Sequence, residues 1–208
     1  MVRGNQTLCP DRFNVNHMDL NMADLNRISI PYCGFFELHS DHDRACVARV
    51  IGLIGERDDA FTRNPEHGHI TASALVVSRD CKALLMTHHA KLDRWLQLGG
   101  HCDGLKDPYF VAKKEAYEES GLHQIHSLAA DIVDIDIHAI PASAREPEHW
   151  HYDLRYVFQA DQSAALQLSH ESRQLRWVAL DGLESVTDAP SVLRLRSAIA
   201  RFSQQYGL

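Results

Sequence analysis

Gly99–Leu122 reads GGHCDGLKDPYFVAKKEAYEESGL, and the rest of the chain is best understood outward from it. Its second half has the marks of a helix with both ends specified. Asp107 is a favoured N-cap and Pro108 a favoured first helical residue. Gly121 is the usual residue just past a helix end. At about 100° per residue, Glu115, Glu118 and Glu119 fall on one narrow face. Three carboxylates so placed repel one another, and an acidic face lying in solvent is the ordinary meaning of such a run. The crowding becomes useful if a divalent cation sits among them, because hard oxygen ligands suit Mg²⁺ or Mn²⁺. Gly99 and Gly100, just upstream, let the backbone approach closely and present a carbonyl. A loop, a helix and a carboxylate cluster thus converge on one place, suited to a metal-complexed diphosphate.

The flanking sequence supplies strands. Ile70–Ser78 (ITASALVVS) is rich in β-branched and small residues and reads as a buried strand. Arg79-Asp80 is a turn, and Ala83–Met86 completes a hairpin. Trp95–Leu98 alternates into the glycine pair. Asp131–Ile140 is a further strand, and Pro141–Trp150 reads as a loop with two prolines. Tyr152, Leu154, Tyr156 and Phe158 alternate with Asp153, Arg155 and Val157 on a strand. Leu175–Leu180 is another, and Pro190–Tyr206 an amphipathic helix. Strands and helices interleave, which gives an α/β class with a mixed sheet. Residues 1–62 differ in texture. Asp19–Ile28 spaces its apolar residues as a short helix, and residues 41–56 read as a helix capped by Ser40. With no core of its own, 1–62 is expected to be a helical extension docked on a domain spanning 63–208.

Composition narrows the function. The chain has 208 residues and a formal net charge of -7. An acidic surface lacks the cations that release counterions from nucleic acid, and it has no bulk attraction for an anionic membrane. No run reaches the ~18 apolar residues of a membrane helix. The five cysteines are odd in number and widely spaced, as expected of reduced thiols in a cytoplasmic protein.

The central stretch resembles the Nudix box, G-x5-E-x7-R-E-U-x-E-E-x-G-U with U aliphatic. Gly100, Glu115, Glu118, Glu119, Gly121 and Leu122 match, and Ala116 is an acceptable U. Lys114 stands in place of the arginine and Lys106 in place of the first glutamate. The resemblance runs from about His69 to the terminal helix and implies a Nudix-like α/β/α sandwich. It implies hydrolysis of a phosphoanhydride in a nucleoside diphosphate-linked small molecule, with Mg²⁺ or Mn²⁺. It assigns the metals to Glu115, Glu118, Glu119 and the Gly99 carbonyl. It gives the general base to Glu115 or to a downstream acid, a place that Glu171 fills. A homodimer is a further expectation, since family members are often dimers.

Two features leave alternatives open. Lys106 reverses a charge, so a catalytically weakened nucleotide-binding module is the alternative reading. Isomerase chemistry, also found on this fold, would need an acid-base cysteine such as Cys102. His101, His151 and Arg155 are candidate contacts to substrate phosphate. His149 and His151 lack a Cys or acidic partner at the spacing of a closed zinc site, which sets a zinc reading aside.

Overall fold

The computed structural model describes residues 40–63, 68–143 and 146–208. The helix expected over Asp19–Ile28 lies outside these. Helix α1 spans Asp41–Glu56, and the Ser40 hydroxyl accepts from the Asp43 N–H as its N-cap. Seven strands follow: β1 (His69–Ser78), β2 (Ala83–His89), β3 (Arg94–Leu96), β4 (Leu98–His101), β5 (His126–Ile140), β6 (His149–Ala160) and β7 (Ser172–Ala179). Helix α2 (Pro108–Ser120) lies between β4 and β5. A 3₁₀ turn at Leu180–Ser185 leads to α3 (Pro190–Leu193) and α4 (Leu195–Tyr206).

The strands form one mixed sheet, ordered β3-β2-β1-β6-β5, with β4 on β1 and β7 on β2. Among the described residues only β1 and β6 run parallel, His69 opposite His151 through Ser78 opposite Ala160. The first half of β1 also pairs with β4, Thr71 opposite His101. Its far end turns to β2 at Val77 opposite Leu84. All ten β1 residues are buried, which explains a strand with little alternation.

Side chains on the two faces feed two cores. On one face Ile70, Ala72, Tyr152, Leu154 and Tyr156 pack with Val111, Ala112 and Ala116 of α2 and Cys46, Val47 and Val50 of α1. On the other, Leu75, Val77, Leu84 and Val157 meet Leu195, Ile199 and Phe202 of α4. Helix α1 therefore shares the main core with the sheet. Its Arg49 guanidinium lies 5.0 Å from the Trp150 ring centroid, a cation–π contact.

Several boundaries move. Strand β5 begins at His126 rather than Asp131, and β7 at Ser172 rather than Leu175. His149 and Trp150, expected in a loop, open β6. The last helix breaks at Arg194 into α3 and α4. Among the described residues no helix is long and apolar enough to cross a membrane, and Cys46, Cys81 and Cys102 are buried free thiols.

Candidate active site

Helix α2 begins and ends as its residues require. The Asp107 carboxylate accepts from the Phe110 N–H at 3.0 Å. Gly121 takes φ 67° at the C-cap and donates its N–H to Tyr117 O, a left-handed geometry that suits glycine. These two stops set the helix register, and the register sets the acids. Ala112 and Ala116 face the core; Glu115 and Glu119 come round to the glycine pair of β4, and Glu118 is exposed.

The three acids occupy different environments. Glu119 is 5% exposed, and its carboxylate accepts the Gly99 N–H at 3.2 Å. Burial raises its pKa from 4.5 to about 8, and Glu115, Glu171 and Glu118 add to the rise. Glu115 is partly buried, and burial raises it too, while Lys114 opposes the rise. The Lys114 ammonium bonds Glu115 at 3.2 Å and Glu118 at 2.7 Å. Lysine at this position thus binds the helix acids directly. Lys106 is exposed, and the reversed charge there sits in solvent.

Glu171 arrives from the turn before β7. Its N–H donates to Ser169 Oγ at 3.2 Å, and its carbonyl accepts from Ala90 N at 2.8 Å. The carboxylate is close enough to push up both Glu115 and Glu119. Four carboxyl groups from two elements therefore share one field. Gly100 lets the backbone approach this cluster: a Cβ there would stand 2.7 Å from the Glu115 Cδ. A buried carboxylate with a raised pKa and acidic neighbours is what a hard divalent cation stabilises. The donor set fits Mg²⁺ or Mn²⁺ held by Glu115, Glu118, Glu119 and the Gly99 backbone.

The other expected contacts fare differently. Arg155 is 1% exposed. Its guanidinium is committed to Asp153 at 2.9 Å, Asp134 at 2.8 Å, Asp136 at 3.2 Å and the Ser191 carbonyl at 2.8 Å. This corrects its assignment as a phosphate contact: it is an interior counter-ion. Asp103, between β4 and α2, is held by Arg63 in a two-point pair of 2.6 and 2.9 Å. Burial lifts the Cys102 thiol to about 12, which makes it a poor proton donor or nucleophile and removes the support for isomerase chemistry.

His101 and His151 come together. Their ring centroids are 5.1 Å apart, and each lies close to His69, at 5.1 and 4.8 Å. Burial lowers His101 to about 4 and His151 to about 2. Both rings are neutral at neutral pH and bring no positive charge to a phosphate. The third histidine, His69, was not singled out by the sequence. It enters through the parallel pairing of β1 with β6, which no local signal announces.

The NUDIX domain family matches residues 68–202. Solved structures with a similar fold include E. coli dihydroneopterin triphosphate pyrophosphohydrolase, 13% identical with TM-score 0.50, covering 69% of this chain and 98% of that one. C. elegans Ap4A hydrolase is 17% identical with TM-score 0.48, over 65% and 98% of the two chains. The NUDIX domain of Shewanella oneidensis NrtR, complexed with ADP ribose, is 18% identical with TM-score 0.45, over 65% and 87%. No curated protein matches the sequence. The match covers well over half of the chain and contains the whole of the sheet, helix α2 and its acids, so the chain belongs to the NUDIX family.

Proposed function

We propose that this pyrophosphohydrolase cleaves a phosphoanhydride bond in a nucleoside diphosphate-linked substrate, with Glu115, Glu118, Glu119 and the Gly99 carbonyl holding Mg²⁺ or Mn²⁺. The observation that carries this reading is the packing of the α2 acids against the glycine pair, with the Glu119 carboxylate accepting the Gly99 N–H and the Glu115 carboxylate beside Gly100. Bound divalent ions lower the pKa of a water and neutralise charge on the diphosphate. Glu171 takes the proton from the attacking water. It is suited to this because the backbone around it is anchored at both its N–H and its carbonyl, while its side chain is 42% exposed and can reach solvent. Helix α1, packed in the main core, ties the segment that carries it to the 63–208 domain. The thiols fit a reducing, cytoplasmic setting, and a sizing column tests the homodimer.

The direct test is a panel of nucleoside triphosphates and nucleotide-sugars with Mg²⁺ or Mn²⁺. Metal-dependent release of a phosphate or nucleoside monophosphate is expected. Tight nucleotide binding without product would replace this reading with a catalytically weakened binding module.

Two further outcomes follow from the geometry. Glu171→Gln lowers kcat by about 10²–10⁴-fold, the usual contribution of a general base, and leaves Mn²⁺ affinity nearly unchanged. Parallel kinetics and Mn²⁺ titration by electron spin resonance separate the two. If Mn²⁺ affinity falls with kcat, Glu171 is a ligand instead. Gly100→Ala keeps the fold, because its Cβ meets the movable end of the Glu115 side chain, at 2.7 Å from Cδ and 2.9 Å from Oε1. The carboxylate must swing away, so Mn²⁺ affinity drops by about 10–100-fold, the range for misplacing a ligand. An unchanged titration curve refutes that assignment.

A further inference from the structure

Strand β6 carries His149 and His151 two residues apart, so both imidazoles leave the same face of the sheet. His69 on β1 stands opposite His151 in the parallel register and shares that face. One nitrogen from each of the three rings lies within 4.8 Å of the others. His149 Nε2 and His151 Nε2 are 3.3 Å apart, the edge length of a tetrahedron built on metal–nitrogen bonds of about 2.0–2.1 Å. The remaining ring on β1 closes the gap by side-chain rotation. We propose that His69, His149 and His151 form a second metal site, distinct from the carboxylate site, that takes a borderline divalent transition ion of the zinc class.

The surroundings are arranged as a metal site needs. His149 Nδ1 lies 2.9 Å from the Pro147 carbonyl. A carbonyl only accepts, so Nδ1 carries the hydrogen and Nε2 keeps its lone pair directed at the cluster. Such an outer hydrogen bond orients a ligating histidine and fixes its tautomer. The 3.3 Å contact then places a hydrogen on His151 Nε2; for an ion to bind there, that hydrogen moves to Nδ1 and the ring stays neutral. His69 and His149 are 3% exposed each, while His151 is partly open. Two more partly open rings rim the site. His101 lies 5.1 Å from both His69 and His151, and His138 lies 5.5 Å from His151. His138 is itself held by Asp136 at 2.9 Å. Three protein nitrogens with an open approach are the pattern of a zinc site that keeps its fourth position for water or a ligand. Imidazole donors select zinc, copper, nickel or cobalt over Mg²⁺, whereas the carboxylates of α2 select the reverse. The two sites stand back to back across β4. The Gly100 side faces Glu115, and the next residue, His101, faces the imidazoles.

The test uses the full chain, stripped of metal and dialysed against Zn²⁺. The wild type is expected to retain one Zn²⁺ per chain with no Mg²⁺ or substrate present. Glu118→Gln/Glu119→Gln is expected to keep it. His149→Asn/His151→Asn is expected to lose affinity by at least about 100-fold, since even outer-shell changes cost 10–100-fold. Zinc held equally by the histidine variant, lost with the glutamate variant, or not retained by the wild type overturns the proposal. Should the histidine variant misfold, X-ray absorption at the zinc edge of the wild type decides. Three imidazole nitrogens in the first shell support the site; a carboxylate or thiolate shell refutes it. Neither readout involves turnover, so failure of the hydrolase reading leaves this result independent.

Discussion

Glu119→Gln is expected to lower metal-dependent turnover by about 10³-fold while the metal-free protein becomes no less stable. The first half follows from the several kcal/mol that a metal contributes to charge stabilisation, at tenfold in rate per 1.36 kcal/mol. The second half follows from burial. Glu119 is 5% exposed and its pKa is raised to about 8. A carboxyl raised above its unfolded value of 4.5 stabilises the fold in its protonated form. That contribution is full below about pH 4.5 and is lost as pH rises through about 8. Glutamine has the same shape and an oxygen that can still accept the Gly99 N–H, but it never ionises. Without metal, the variant should therefore gain on the wild type in thermal melts between about pH 5 and about pH 9. Mn²⁺ should reverse the order, because only the carboxylate binds it. For the same reason wild-type Mn²⁺ affinity should climb with pH up to about 8 and then level, as ligands must shed protons to bind. Turnover that survives the substitution removes Glu119 from the metal site. A variant that is less stable at every pH shows that the glutamate was structural.

The three acids of α2 were legible because their signal is local. Asp107, Pro108 and Gly121 mark a helix whose ends can be read to the residue, and helical periodicity then places Glu115, Glu118 and Glu119 on one face. Glu171 came from the resemblance alone, which implies an acid in a downstream loop, and the structure has it in the turn directly before β7. The sheet's class was also readable, since strands and helices interleave and β1 is rich in β-branched and small residues. What the sequence hid was register between distant strands. His69 and His151 are opposite one another only because β1 and β6 run parallel. With His69 unseen, a pair of alternating histidines had no third partner. Arg155 failed for the same reason. Alternation along β6 placed it opposite the apolar face, which suggested solvent or substrate. Yet that second face is covered too, by α3 and α4, and three aspartates from β5 and β6 meet the arginine there. Neither the cover nor the counter-ions have a local signature, because each depends on elements far along the chain.

Arg155→Met should accordingly behave as a folding defect rather than a binding defect. The guanidinium is almost wholly enclosed, and its bonds to Asp134, Asp136 and Asp153 are 2.8 to 3.2 Å long. Burial opposes its charge, but the three carboxylates outweigh that and keep it protonated. Against the effect of burial, His138, Arg155 and Arg194 hold Asp136 well below the ordinary carboxylate range. Removing the arginine leaves the three acids to Arg194, which reaches Asp134 at 2.9 Å and Asp136 at 3.4 Å, and to Thr71 and Ser73 on Asp153. An uncompensated buried charge typically costs 3–5 kcal/mol, or about 6–20 °C of melting temperature for a chain of this size. Lysine should rescue little, since one ammonium cannot span three carboxylates as a planar fork does. The pH dependence has a definite sign. The wild-type network stabilises the protein above the unfolded carboxylate range and loses that contribution on acidification. In Arg155→Met the stranded carboxyls take up protons readily, so the gap between variant and wild type should narrow as pH falls from about 7 to about 4. Melting curves across that range, set beside KM for the hydrolysed nucleotide at a temperature where both proteins are folded, separate the two roles. A large rise in KM with an unchanged melting temperature would return Arg155 to the substrate. A fall in melting temperature with KM preserved confirms that its charge serves the interior, where it joins β5, β6 and the α3–α4 cover behind the strand that carries the imidazoles.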